Sequence, residues 1–307
     1  MWAEKSATEK IKFCKGTGES LLNSGQAGMP IVLLYHSIDD RCGRPDCWSL
    51  TVSPENFSAQ MEALSLERTV ISLSELERQV RRGRVHRGTA VVTFDDGYAN
   101  NGIVAQPILE RLGIPATLFL ATGMVGSSEF WWDRLERILT DATRRPEKLE
   151  IEIGSHTVEV SMENWTNEDL LIKIWTLLRD VAPVTRDTAL QYLEEALAAL
   201  PRHLSRPLMA EEVGKLRAGP IEVGAHTVTH PWLPVLEPDT LARELHSSKL
   251  ACEEFMGCQV TAFSYPFGVY NEASRSQVIS NGFSSACATI NTFVPSNCDV
   301  FALPRVA

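Results

Sequence analysis

Two aspartates, Asp95 and Asp96, end one apolar run, and two imidazoles stand four residues apart in His226-Thr227-Val228-Thr229-His230. A third histidine, His36, ends another apolar run, and Tyr265-Pro266-Phe267-Gly268 ends a fourth. These residue types suit metal-assisted hydrolysis. A divalent ion held by two imidazoles wants at least one anionic oxygen ligand and an open position for water. Adjacent aspartates on a strand project to opposite sides, so one carboxylate can hold the ion while its neighbour stays free as a general base. The histidine pair does not read as a helix, because three β-branched residues separate the imidazoles and Pro231 follows. Each motif alone is weak, since Asp-Asp-Gly is commonly only a turn and a histidine pair at this spacing arises by chance. Their weight comes from standing together, in this order, each at the end of a strand.

The elements that would position them alternate. Continuous apolar runs of strand length are Ile31–Tyr35, Ala90–Phe94, Ala116–Leu120, Ile221–Ala225, Val260–Tyr265 and Phe283–Ala288, with a last strand near Phe301. Amphipathic helical segments separate them: one opened by Ser53-Pro54-Glu55, one over Ile103–Leu112, and two more over 239–256 and 272–281. This rhythm marks a parallel α/β sheet or barrel, in which the carboxyl ends of the strands share one face. Between 127 and 215 the rhythm breaks into helical patterns and one alternating pair of strands around Gly154-Ser155-His156, which reads as a mostly helical insertion. The expected division is a polar leader over 1–28, barrel over 29–126, insertion over 127–215 and barrel again over 216–307.

The chain has 307 residues, 44% hydrophobic and 22% charged, which is ample for a buried core of globular type. Its net charge of −10 argues against a protein built to grip nucleic acid or an anionic membrane. No apolar run approaches the roughly eighteen residues that a transmembrane helix requires. The seven cysteines are an odd, scattered set, including Cys42 and Cys47 in a polar loop, and do not read as a disulfide framework. With no signal-like segment at the start, a cytoplasmic location is expected. Oligomeric state is not readable from these features.

Taken together, Thr93-Phe94-Asp95-Asp96-Gly97, His226-Thr227-Val228-Thr229-His230 and Ser264-Tyr265-Pro266-Phe267-Gly268 resemble the polysaccharide deacetylase family. That family is also known as the NodB-homology domain or carbohydrate esterase family four. The resemblance covers roughly residues 30–125 and 218–307 and implies a distorted (β/α) barrel. It implies Asp95 as catalytic base, and Asp96, His226 and His230 as ligands of one divalent metal ion, usually zinc. The implied reaction is hydrolytic removal of an acyl group from an amide nitrogen of an amino sugar. The oxyanion would be held by the ion and the Phe267 N–H, within the turn shaped by Tyr265 and Pro266.

Two departures from the family pattern stand out. An arginine commonly lies two residues before the third-motif proline and tunes the base, but Ser264 occupies that place. Arg305, in Leu303-Pro304-Arg305, is the candidate replacement. The late leucine-x-histidine motif that supplies the general acid is also missing. Some family members resemble circular permutations that carry this histidine on an N-terminal strand, and Leu34-Tyr35-His36-Ser37-Ile38 is similar to that pattern, so His36 is the candidate acid. Trp132, beside Trp131, is a candidate sugar-stacking wall or an anchor for the insertion. Two competing functions follow: an amidohydrolase for a small non-polymeric substrate, and a non-catalytic carbohydrate-binding relative.

Overall fold

The computed structural model describes residues 28–42, 44–162, 166–200 and 205–307. All of the expected leader except Gly28 lies outside the described residues. Two compact units emerge, one of residues 44–49 with Ser128–Arg206, the other of 28–42, Leu50–Ser127 and Pro207–Ala307.

The larger unit opens with β1 (Ile31–Tyr35), followed by β2 (Ser37–Ile38), which pairs with β3 (Thr51–Val52). Helix α1 (Pro54–Glu67) starts where the Ser53 side chain accepts the Asn56 N–H, with proline at a position whose missing N–H costs nothing. Phe57 and Met61, one turn apart, form its buried face. Next come β4 (Thr69–Val70), α2 (Leu73–Arg81) capped by Ser72, and β5 (Thr89–Phe94). A π-helical turn, Asn101–Ala105, leads into α3 (Gln106–Leu112), and β6 (Ala116–Leu120) follows.

The smaller unit holds α4 (Trp131–Thr140), the antiparallel pair β7 (Lys148–Ile153) and β8 (His156–Ser161), α5 (Asn167–Leu178) and α6 (Pro183–Leu197). Thr166 and Asp169 cap α5 reciprocally, satisfying two backbone donors at its start. Leu170, Leu171, Ile174 and Leu178 of α5, and Leu190, Leu193 and Leu197 of α6, are the buried residues of the leucine periodicity. Trp48, from the 44–49 segment, joins this unit by ring contact with Trp175 and an indole hydrogen bond of 3.2 Å to the Trp132 carbonyl.

The larger unit then resumes with α7 (Ala210–Lys215), β9 (Ile221–Ala225), α8 (Pro238–Met256), β10 (Ala262–Ser264), α9 (Glu272–Ser280), β11 (Ser285–Ala288) and β12 (Leu303–Pro304). The expected end of the insertion at 215 moves to 206. Pro207 bridges Tyr98, and the Leu208 N–H donates to the Gly97 carbonyl at 2.9 Å, so the chain is back in the larger unit before α7 begins.

The sheet order is β1-β5-β6-β9-β10-β11-β12, every pair parallel, with β4 joined to the start of β5. It is nearly closed into a barrel. The Leu34 N–H donates to the Val306 carbonyl at 2.8 Å and the Val306 N–H to Val32 at 2.9 Å, linking the first strand to the chain just beyond the last. Strand residues of one parity, including Val32, Val91, Phe119, Cys287 and Leu303, cluster with Leu73, Leu76 and Val80 of α2. Those of the other parity, including Val92, Phe94 and Leu118, pack with helix residues such as Phe57, Leu109 and Leu245. Because the strands are parallel, His36, Asp95, His226, Tyr265 and Arg305 all follow carboxyl ends on one face. Among the described residues, no helix is long and apolar enough to cross a membrane.

Candidate active site

Asp95 and Asp96 follow the end of β5, and both carboxylates approach His226 Nε2, Asp95 Oδ2 at 3.8 Å and Asp96 Oδ1 at 3.6 Å. The turn after them is tight. Asp96 has φ +72° and Gly97 φ +97°, and a Cβ at Gly97 would stand 2.4 Å from Leu120 Cδ1. Only glycine fits there. The Asp95 N–H donates to the Tyr35 carbonyl at 3.0 Å, continuing the β1–β5 ladder to the foot of the site.

The histidine loop is built from backbone that proteins rarely tolerate. Thr227 has φ +66° and His230 φ +54°, and a β-branched residue in this region is a genuine outlier. Of eight non-glycine residues with positive φ among the described residues, Asp96, Thr227, His230 and Phe267 all belong to this constellation, which places the strain at the site. The loop is held from several sides. The His230 N–H donates to Thr227 Oγ1 at 3.1 Å, and Gly123 donates to the Val228 carbonyl at 2.8 Å. A Cβ on Gly123 would meet that same carbonyl at 2.6 Å. Glu244 of α8 accepts three hydrogen bonds from residues 228 and 229.

His226 is 1% exposed, and its Nδ1 lies 2.7 Å from the Ser264 carbonyl. A carbonyl only accepts, so Nδ1 carries the proton and Nε2 presents its lone pair to Asp96. Burial, against the raising effect of Asp95, holds the His226 pKa below the ordinary histidine value, which keeps the ring neutral. Asp96 Oδ1 lies 3.6 Å from His226 Nε2 and 3.5 Å from His230 Nε2, and the three ligand atoms all fall within 4.8 Å of one another. An ion about 2.1 Å from each of three ligands sets them roughly 3.0–3.4 Å apart. The donor set fits a divalent cation in spacing, charge and tautomer. Cation identity is a separate matter, since imidazole and carboxylate suit several divalent ions.

Asp95 faces Arg305. The guanidinium binds both carboxylate oxygens, Nη1 to Oδ1 at 2.6 Å and Nη2 to Oδ2 at 2.7 Å, and Nη2 also donates to Ser264 Oγ at 2.8 Å. Ser264 Oγ in turn donates to Asp95 Oδ2 at 3.2 Å. Arg305 therefore reaches, from β12, the place next to Asp95 where the third motif carries serine. It is completely buried, with its guanidinium over the Phe119 ring at 5.6 Å. Burial alone would push the Asp95 pKa up, but the Arg305 charge and hydrogen bonds, with His226 and His36, hold it well below the usual carboxylate range. That balance favours the charged form of Asp95.

His36 sits at the end of β1, half-buried, close enough for its charge to lower the Asp95 pKa. Its turn is fastened by two asparagines that follow the aspartate motif. Asn101 Nδ2 donates to the His36 carbonyl at 2.7 Å, and Asn100 bonds both Ser37 Oγ at 2.9 Å and the Ile38 N–H at 3.1 Å. Sequence reasoning missed both asparagines and Glu244, because polar residues on helical turns carry no periodic signal. Tyr265 is buried, with its hydroxyl donating to the Phe301 carbonyl at 3.0 Å. Pro266 begins the turn in which Phe267 adopts φ +59°. The Phe267 ring packs on His230 at 4.5 Å and on Trp232 at 5.4 Å.

Trp132 needs correction. It is 5% exposed, stacked on Phe130 at 4.8 Å and met edge-on by Trp131 at 5.7 Å inside the smaller unit. A ring so enclosed anchors that unit's core and offers no face for a sugar.

Comparison with known proteins matches residues 82–206 and 200–286 to the family described as polysaccharide deacetylase. The chain is 23% identical over 306 residues to YxkH of Bacillus subtilis (strain 168), covering 99% of this chain and 79% of that one. That relative's name assigns it provisionally to the polysaccharide deacetylases. In structure it is similar to IcaB from Ammonifex degensii, with a TM-score of 0.60, 18% identity and 92% of each chain covered. It is likewise similar to the Streptococcus pyogenes deacetylase PplD, solved in complex with acetate, with a TM-score of 0.59, 18% identity and 91% of each chain covered. The last two likenesses speak for the fold.

Proposed function

The chain belongs to the polysaccharide deacetylase family, and from that premise we propose that it is a metal-dependent N-deacetylase acting on an N-acylated amino sugar. The observation that carries this reading is the convergence of Asp96, His226 and His230 within 4.8 Å of one another, with the ionised Asp95 beside them.

Asp96, His226 and His230 would hold the cation, which when bound supplies Lewis acidity to the amide carbonyl and the attacking water. Asp95 accepts the proton of that water at Oδ2, the oxygen 3.8 Å from His226 Nε2. The water oxygen adds to the carbonyl carbon, and the Phe267 N–H donates to the oxyanion. The carbon–nitrogen bond then breaks. The amine is a poor leaving group unless protonated, and His36, at the end of the neighbouring strand β1, delivers that proton, giving a carboxylate and a free amino sugar. Arg305 and Ser264 fix the carboxylate plane of Asp95 and keep it charged despite its burial.

The test is a zinc titration of metal-stripped protein, with Asp96→Ala and His230→Ala alongside. One site per chain, lost in both variants, is the expected result. Absence of binding, or binding indifferent to both substitutions, would sink the proposal. Release of acetate from N-acetylhexosamine oligomers, compared with small acetamides, then tests the substrate class.

A further inference from the structure

We infer that Glu244 is a positioning residue for the cation site, acting on the ligand histidines through the backbone between them and not through their rings; this rests on the metal-dependent reading above. One oxygen, Oε2, accepts the Val228 N–H at 2.7 Å and the Thr229 N–H at 3.0 Å, while Oε1 accepts the Thr229 hydroxyl at 2.7 Å. Residues 228 and 229 are the middle of a five-residue loop whose ends are the two ligands.

The loop needs such a clamp. Thr227 and His230 both sit at positive φ, conformations that cost of order 1–3 kcal/mol each and persist only where the surroundings over-determine them. Two successive N–H groups pointing at one carboxylate oxygen form a small concave donor pair, and charge-assisted bonds of this kind are roughly twice as strong as neutral ones. The opposite side of the loop is fixed at the Val228 carbonyl by Gly123. Glu244 thus closes the other side, on α8, a 19-residue helix whose Leu241, Leu245 and Ser248 are buried against the barrel. With the loop pinned between Gly123 and Glu244, the two Nε2 atoms stay near 3.5 Å from Asp96 Oδ1.

Glu244→Gln can keep every contact, because its carbonyl can accept both N–H groups and its amide can donate to a rotated Thr229 hydroxyl. Glu244→Ala can keep none. The experiment is a cobalt(II) titration of metal-stripped protein, read by affinity and by the visible ligand-field bands, which report ligand geometry rather than turnover. Glu244→Ala should weaken cobalt binding about 10- to 100-fold and shift or flatten the bands, the size seen when outer partners of metal ligands are removed. Glu244→Gln should stay within about threefold of the unsubstituted protein, with its bands in place. Arg243→Ala, an exposed neighbour on the same helix, is the control. If Glu244→Ala does not fold, Thr229→Val, which removes one of the three bonds, decides the matter, with severalfold weaker binding expected. Unchanged affinity and bands in Glu244→Ala, or in Thr229→Val where it must stand in, overturns the inference and leaves the functional reading intact. No cobalt binding by the unsubstituted protein overturns both.

Discussion

Two buried arginines, Arg137 in the smaller unit and Arg305 in the larger, hold their carboxylates to different ends. Arg137 of α4, 6% exposed, binds Glu129 at 2.9 and 3.0 Å, pairs with Glu194 of α6, and donates to the Leu200 carbonyl at 3.2 Å. Glu194 also takes Arg134. Glu194 is shared by two arginines of α4, and the result is a knot that ties α4 to α6. Arg305, fully buried, gives two nitrogens to one carboxylate, and that carboxylate faces the histidines. The same ion pair serves packing in one place and keeps a base charged in the other. Burial of an arginine, then, does not distinguish structure from chemistry; what its carboxylate faces does.

The sharpest break of this comparison is at the carboxylates. Asp95→Asn should lower kcat by about 10²–10⁴-fold while leaving the bound cation in place, the range expected for a lost general base. His36→Ala should fall in the same range. Glu194→Gln should leave kcat within about twofold, so a large loss of turnover there would erase the contrast. Substitution of the arginines comes next. Removing Arg305 takes the cation away from the buried Asp95, so Arg305→Met should cost about 3–5 kcal/mol in urea unfolding. Arg137→Met should cost less, because Glu194 keeps Arg134. Only Arg305→Met should also alter the pH profile. Arg305 depresses the Asp95 pKa, so its loss raises that pKa and moves the acid limb of kcat/KM to higher pH. An equal movement in Arg137→Met would mean the two pairs are not distinct.

A finer test uses pH alone. Burial pushes Glu194 up, but the hydrogen bonds from Arg134 and Arg137 outweigh it and its folded pKa lies below the ordinary value. The unfolded chain therefore binds more protons in the window between the folded value and about 4.3. The cluster's stabilisation is complete above that window and lost as pH falls through it. Acid unfolding followed by tryptophan fluorescence should show this slope, and Glu194→Gln should flatten it. The smallest effect belongs to Asn101→Ala, which removes one hydrogen bond to the His36 carbonyl and should cost roughly 1 kcal/mol with a severalfold loss in kcat. No change in kcat would detach the asparagine from the acid.

The parallel strands and the polar groups at their ends were legible because a buried strand writes itself as a run of apolar residues stopped by a turn. Asp95, Asp96, His226 and His230 stand next to such turns and could be read as neighbours. Arg305 needed more. It pairs with Asp95 across 210 positions, and only closure of the barrel brings β12 to that side. Trp132 stayed open between sugar wall and anchor because paired tryptophans at a helix start look the same whether they face a ligand or a core. The family match spans residues 82–286, so neither His36 nor Arg305 falls inside it. Both stand where this chain departs from the usual motif order; the sequence could name them as candidates, and closure of the barrel is what brings Arg305 beside Asp95.

The seam between β1 and Val306 has a consequence in time. It joins residues more than 270 positions apart, from Leu34 to Val306, so the pairing has the largest loop-closure cost in the barrel and should form late. Until it forms, β1 presents an open edge to other chains. Arg305 lies next to Val306 and arrives with it. During refolding, strands and helices should be detectable before any hydrolysis is, and the interval between the two signals is the period in which the chain is most exposed to aggregation.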